Sequence, residues 1–93
     1  MERRKLAESE VLQALATLPA WEKDGDQIRT VRSFDSYLAG VDFVTKIAAL
    51  AEALDHHPDL LLGYRKVTVT LSTHDLGGLS TYDFALAGQI ESL

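Results

Sequence analysis

The chain predicts an α+β fold: a four-stranded antiparallel sheet with three helices on one face, in the order α-β-β-α-β-β-α. Three observations lead there. A long stretch from Ser36 to about Asp55 repeats apolar residues at helical spacing. Val67, Val69 and Leu71 alternate with Thr68, Thr70 and Ser72, the period of a half-buried strand. Asp24-Gly25 is a strong turn signal between two short strand candidates. Paired strands separated by helices suit an antiparallel sheet with helices stacked on one side. The 93 residues are read as a single domain, 1–93, with no internal repeat or linker.

Along the chain, Val11, Leu12, Leu15 and Leu18 mark a first helix over 8–18, closed by Pro19. Trp21 to Lys23 is a short strand, with Trp21 read as a core residue, and Gln27 to Phe34 returns as the second arm of the hairpin. Alternation in that arm is poor, because Arg29 and Arg32 fall on opposite parities. In the long helix, Leu38, Val41, Val44, Ile47, Ala48, Ala51 and Leu54 mark the expected packing face. Asp35 or Ser36 caps its start, and Gly40 admits close approach of another element. At 1.5 Å per residue the rod is about 28 Å long. Pro58 is expected to end it, leaving His56 and His57 at a helix C-terminus, where successive side chains can diverge. Leu60 to Tyr64 reads as a strand apolar on both parities and therefore covered on both faces, either within the fold or by another subunit. Arg65-Lys66 turns the chain into the strand that starts at Val67. Gly77-Gly78 marks a loop, Ser80-Thr81-Tyr82-Asp83 resembles a capping box, and a last helix runs from Thr81 nearly to Leu93, with Phe84, Ala87 and Ile90 packing.

Composition removes several classes of function. A net charge of −5 without a dense basic patch argues against direct nucleic-acid binding. With no cysteine there is neither a disulfide framework nor a cysteine-based zinc site. No apolar region follows the charged start Met1-Glu2-Arg3-Arg4-Lys5, and no run approaches a membrane span, so a soluble cytoplasmic protein is expected. A short chain buries a small fraction of its surface. Leu60-Leu61-Leu62 would also bare apolar side chains in a lone copy, so a homodimer or homotetramer is expected.

All three histidines lie in two short stretches, Asp55-His56-His57-Pro58-Asp59 and Ser72-Thr73-His74-Asp75. Histidine gives or takes a proton near neutral pH, so the grouping points to proton transfer. Two polar element ends that happen to hold histidines would look the same at this level. A metal site is disfavoured, because helical metal ligands usually stand four apart whereas His56 and His57 are adjacent. No serine sits in a nucleophile-elbow pattern. General acid–base chemistry without a cofactor fits best.

These residues carry a resemblance. Asp55-His56-His57-Pro58-Asp59, Tyr64-Arg65-Lys66-Val67, and Leu71-Ser72-Thr73-His74-Asp75 with Gly77-Gly78-Leu79-Ser80 and Asp83 resemble the pterin-4a-carbinolamine dehydratase family. The likeness runs from about Leu18 to the C-terminus with matched spacing. It implies the same α+β fold and the dehydration of 4a-hydroxytetrahydropterin to quinonoid dihydropterin, which recycles the pterin of aromatic amino acid hydroxylases. Such a hydroxylase is thereby an implied partner, and no redox cofactor is implied. Carried over, His56 and His74 are the acid–base pair and His57 holds the pterin. Glu52 and Asp55 line the pocket, the backbone of Thr73, His74, Asp75 and Leu76 meets the pterin edge, and Trp21 and Pro58 are apolar walls. Asp83 matches a position near the site, and a helix cap explains it equally well. Leu60 stands where many members carry tryptophan, and Arg32 where an aromatic residue is common. Some relatives instead serve as dimerisation cofactors of a transcription factor or as assembly factors, so a non-catalytic interaction module is the alternative.

Overall fold

In the computed structural model, which describes residues 1–93, the elements follow the predicted order. They are α1 (Glu8–Leu15), β1 (Glu22–Asp24), β2 (Gln27–Ser33), α2 (Tyr37–Leu54), β3 (Asp59–Leu62), β4 (Lys66–Leu71) and α3 (Thr81–Glu91), with a 3₁₀ turn at His74–Leu76. The strands form one antiparallel sheet in the order β1-β2-β4-β3. Its register sets Ile28 opposite Leu71 and Thr30 opposite Val69, while Leu60 faces Val69 and Leu62 faces Val67. Because side chains alternate across a strand, Ile28, Val67, Val69 and Leu71 share one face. All four are fully buried under Ile47 of α2 and Leu86 and Ile90 of α3. The opposite face carries Val31, Thr68 and Leu61 in one cross-strand row, with Val31 and Leu61 exposed.

Several boundaries and faces differ from expectation, each for a local reason. The first helix ends at Leu15, and Thr17 and Leu18 close it through bonds to Ala14 and Leu15. Val11 and Leu18 are buried, whereas Leu12 is 57% exposed and lies off the packing face. In β2, Ile28, Thr30 and Arg32 share the core-facing parity; Arg32 is tolerated there because it lies near the strand end, ion-paired with Glu91. β3 covers Asp59–Leu62, and Gly63-Tyr64-Arg65 makes the turn, closed by Gly63 N–H donating to the Lys66 carbonyl at 2.8 Å. Leu60 and Leu62 pack inward, but Leu61 is 69% exposed, so within one copy of the chain this strand is covered on one face.

The long helix is capped by Ser36, whose Oγ accepts from the Ala39 N–H at 3.1 Å. Its buried face is Gly40, Phe43, Ile47 and Ala51. Leu38 and Ala48, expected to pack, are exposed. Alanines and other apolar residues surround this helix, so counting apolar positions fixed its face only loosely. Gly40 does admit close approach: a Cβ there would lie 3.2 Å from Leu62 Cδ1 and 3.4 Å from Val67 Cγ2. The helix stops before Pro58 acts. Asp55 adopts the left-handed conformation (φ 52°, ψ 44°), and the His56 N–H reaches back to the Ala51 carbonyl at 3.0 Å. Asp is among the few non-glycine residues that visit this region readily.

Candidate active site

The left-handed turn at Asp55 separates the two adjacent imidazoles. His56 turns inward, where its Nε2 lies 2.6 Å from Asp83 Oδ1 on α3. His57 stays exposed and bonds the Glu52 carboxylate, one turn back along α2. The third imidazole enters from the far end of β4: His74 opens the 3₁₀ turn, with Ser72 Oγ 3.4 Å from its Nε2. Together these histidines line an open cleft of about 230 Å³, with Arg3, Asp55, Ser72, Thr73 and Asp75 completing its wall.

Asp83 is the buried centre of the arrangement, with no exposed surface. Oδ2 accepts from Thr73 Oγ1 at 2.7 Å and from the Ser80 N–H at 2.8 Å, the second being the reciprocal bond of the α3 capping box. Ser80 Oγ lies 2.7 Å from Thr73 Oγ1. Asp83 is therefore a helix cap and a histidine partner at once. A carboxylate only accepts, so the His56 Nε2 carries a proton, and in the neutral ring the lone pair sits on Nδ1. Tyr82 packs beside this ring, with centroids 5.9 Å apart.

Asp75 is held differently. Arg3, on the N-terminal arm, donates from Nη1 and Nη2 to its two oxygens, both at 2.6 Å. That fork keeps the Asp75 carboxyl below the ordinary carboxylate range. In the turn, the Thr73 and Leu76 N–H groups are spent on the Gly78 and Thr73 carbonyls. The His74 carbonyl likewise accepts from the Gly77 N–H.

Of the residues expected at the site, His56, His57, His74, Asp55, Thr73 and Asp75 come together in the cleft. Glu52 stands behind His57, while Pro58 and Leu76 are half-buried neighbours outside the lining. Trp21, expected as an apolar wall, is not among the residues lining this cleft. Trp21 is buried in the core, and its indole N–H donates to Glu91 at 2.8 Å, at the opposite end of α3 from Asp83. Arg3 and Ser72 were not anticipated. Ser72 could have been found from its parity at the strand exit, but nothing in the sequence links Arg3 to Asp75, 72 positions away. A larger cavity of about 420 Å³ lies between the arm and the β1–β2 turn, around Lys5, Lys23 and Leu79, and contains no histidine. Size alone would choose it; all three histidines line the smaller cleft.

The fold and this cluster define a class: a small α+β protein with a histidine cleft suited to proton transfer. The family model for pterin 4 alpha carbinolamine dehydratase matches residues 4–93, and the chain belongs to that family. Relatives provisionally named pterin-4-alpha-carbinolamine dehydratase include one from Cyanothece sp., 46% identical over 95% of this chain and 91% of its own. Another, from Mycobacteroides abscessus, is 45% identical over 94% and 93%. A crystal structure of a transcriptional coactivator/pterin dehydratase from Brucella melitensis superposes with a TM-score of 0.91 at 33% identity, covering 96% and 97% of the two chains. A pterin dehydratase-like protein identified as a RuBisCO assembly factor of the alpha-carboxysome superposes less closely, with a TM-score of 0.62 at 25% identity over 77% and 83%.

Proposed function

We propose that this protein dehydrates 4a-hydroxytetrahydropterin to quinonoid dihydropterin by general acid–base catalysis at the histidine cleft. In the reaction the C4a–O bond breaks, the hydroxyl leaves as water after taking a proton, N5 gives up its proton, and a C4a=N5 double bond forms. Electrons stay within the substrate, so the reaction needs no redox cofactor. The observation that carries the reading is His56 held by the buried Asp83 in a cleft with two further imidazoles. With Nε2 committed to Asp83, a neutral His56 is set to take the N5 proton at Nδ1. His74 has no carboxylate partner of this kind and is left to protonate the departing hydroxyl. His57, tethered to Glu52, holds the pterin. Each positioned acid or base contributes typically about 10²–10⁴ in rate.

The test is the decay of chemically generated 4a-hydroxytetrahydropterin, followed by absorbance with and without the protein. Acceleration well above the spontaneous rate is expected; decay at the spontaneous rate would overturn the reading. The second reading, a non-catalytic interaction module, draws support from the assembly-factor neighbour. It predicts no acceleration. A shared fold does not carry a shared function, and the full set of three histidines favours catalysis.

A further inference from the structure

We propose that Arg3 is a positioning residue of the histidine cleft: its fork holds the Asp75 carboxylate against the N-terminal arm and so keeps that negative charge from pairing with the imidazoles. The arm is fixed independently of this pair. Leu6 N–H donates to the Leu79 carbonyl at 2.8 Å, Lys5 bridges to Ser80, and Thr81 Oγ1 donates to the Glu2 carbonyl. The Lys5 stem lies across Gly78, where a Cβ would meet Lys5 Cε at 2.9 Å. Arg3 is therefore delivered to the cleft by a segment seated on the start of α3. There it meets Asp75 in the bidentate geometry that fixes a carboxylate in orientation as well as charge.

Asp75 and His56 line the same cleft. The groups around His56 are Asp83 and Tyr82 on α3, Asp55 and His57 after α2, His74 and Asp75 on the 3₁₀ turn, and Arg3 on the arm, with Glu52 behind His57. Four carboxylates thus surround three imidazoles, and Arg3 is the one permanent cation among them. While Arg3 holds Asp75, the pair is close to neutral toward the rest of the cleft. Without Arg3, the Asp75 side chain is free to turn toward the histidines and favour their charged forms. Exposed ion pairs add little to stability, so the variants below fold.

The inference rests on the dehydratase reading for its kinetic arm only; the deciding measurement is the NMR titration of the three imidazoles in the free protein. In Arg3→Ala, at least one cleft imidazole should titrate at higher pH, with about a twofold to threefold gain in proton affinity, the size expected of one charge acting across solvent. Arg3→Lys, which keeps the charge and loses the fork, should fall between. Arg3→Ala/Asp75→Asn should return the midpoint to the wild-type value, since both charges are gone. Arg4→Ala is the control: its bidentate bonds to Glu10, at 2.9 and 2.7 Å, lie outside the cleft, and it should leave all three midpoints in place. The same ordering should appear in the pH profile of kcat/KM. No shift in Arg3→Ala beyond that of Arg4→Ala, or a shift that survives in the double variant, would overturn the inference. Failure of the wild type to accelerate dehydration would sink the proposed function and leave the titrations to decide the role of Arg3.

Discussion

Three donors converge on the buried carboxylate of Asp83, and the two oxygens divide the work. Oδ2 serves the helix cap and Thr73, and Oδ1 serves His56. Asp83→Asn can keep an oxygen toward Ser80 and Thr73 while turning its NH₂ toward His56. The ring must then accept at Nε2 and carry its proton on Nδ1, the reverse of its native tautomer. We expect a stability cost of about 1–2 kcal/mol, in the range of a perturbed buried hydrogen bond. Turnover should fall at least about tenfold, since a group acting as acid or base contributes more than that. Nitrogen-15 shifts of His56 report the tautomer directly, and an unchanged tautomer with unchanged turnover would discard the assignment. His56→Ala and His74→Ala should each lower kcat by at least about a hundredfold, whereas His57→Ala should mainly raise KM. Near-normal turnover in either of the first two would remove that residue from the proton transfers. At this scale the sequence was informative about which residues matter and silent about their pairing. His56, His74 and Asp83 stand out by type and motif; the bond between His56 and Asp83 spans 27 positions and depends on how α2 and α3 pack.

The elements were legible where two signals agreed and blurred where only one spoke. Strand β4 combined clean alternation with β-branched residues, and Val67, Val69 and Leu71 are all fully buried as that pattern required. For α2 the length and cap were readable, but the face was not. Leu38 is strongly apolar and 75% exposed, while Gly40, with no side chain to count, sits where a Cβ would lie 3.2 Å from Leu62 of the sheet. That contact gives a prediction. A leucine at position 40 would have to displace Leu62 and Val67 from a packed layer, and overpacking typically costs about 1–3 kcal/mol. Gly40→Leu should therefore lower the denaturation midpoint, even though leucine is the better helix former by about 1 kcal/mol. A midpoint equal to or above the wild-type value would mean that the layer yields more easily than its geometry implies.

For the whole molecule, the surface left bare by one copy is the informative quantity. The sheet has helices on one face only, and its other face presents Val31, 50% exposed, and Leu61, 69% exposed, on either side of Thr68. Beside them β3 is an edge strand, its outer hydrogen-bonding groups unpaired, with Asp59 as its only charged side chain and no proline or bulge within it. Edges of this kind are normally shortened, charged or covered. Antiparallel pairing of β3 with β3 of a second copy would satisfy that edge by a two-fold operation, in which the same patch serves both partners. It would also extend the sheet and bring the exposed leucines of the two copies together. Leu38, on the outward side of α2, is a further exposed leucine. We expect light scattering at micromolar concentration to give at least twice the 10.2 kDa of the chain. Leu61→Lys sets two like charges close together across the two-fold axis and should shift the population toward the single-chain mass while leaving the helical circular dichroism unchanged. A wild-type mass near 10.2 kDa would rule out self-association, and an unchanged mass in Leu61→Lys would move the interface away from β3.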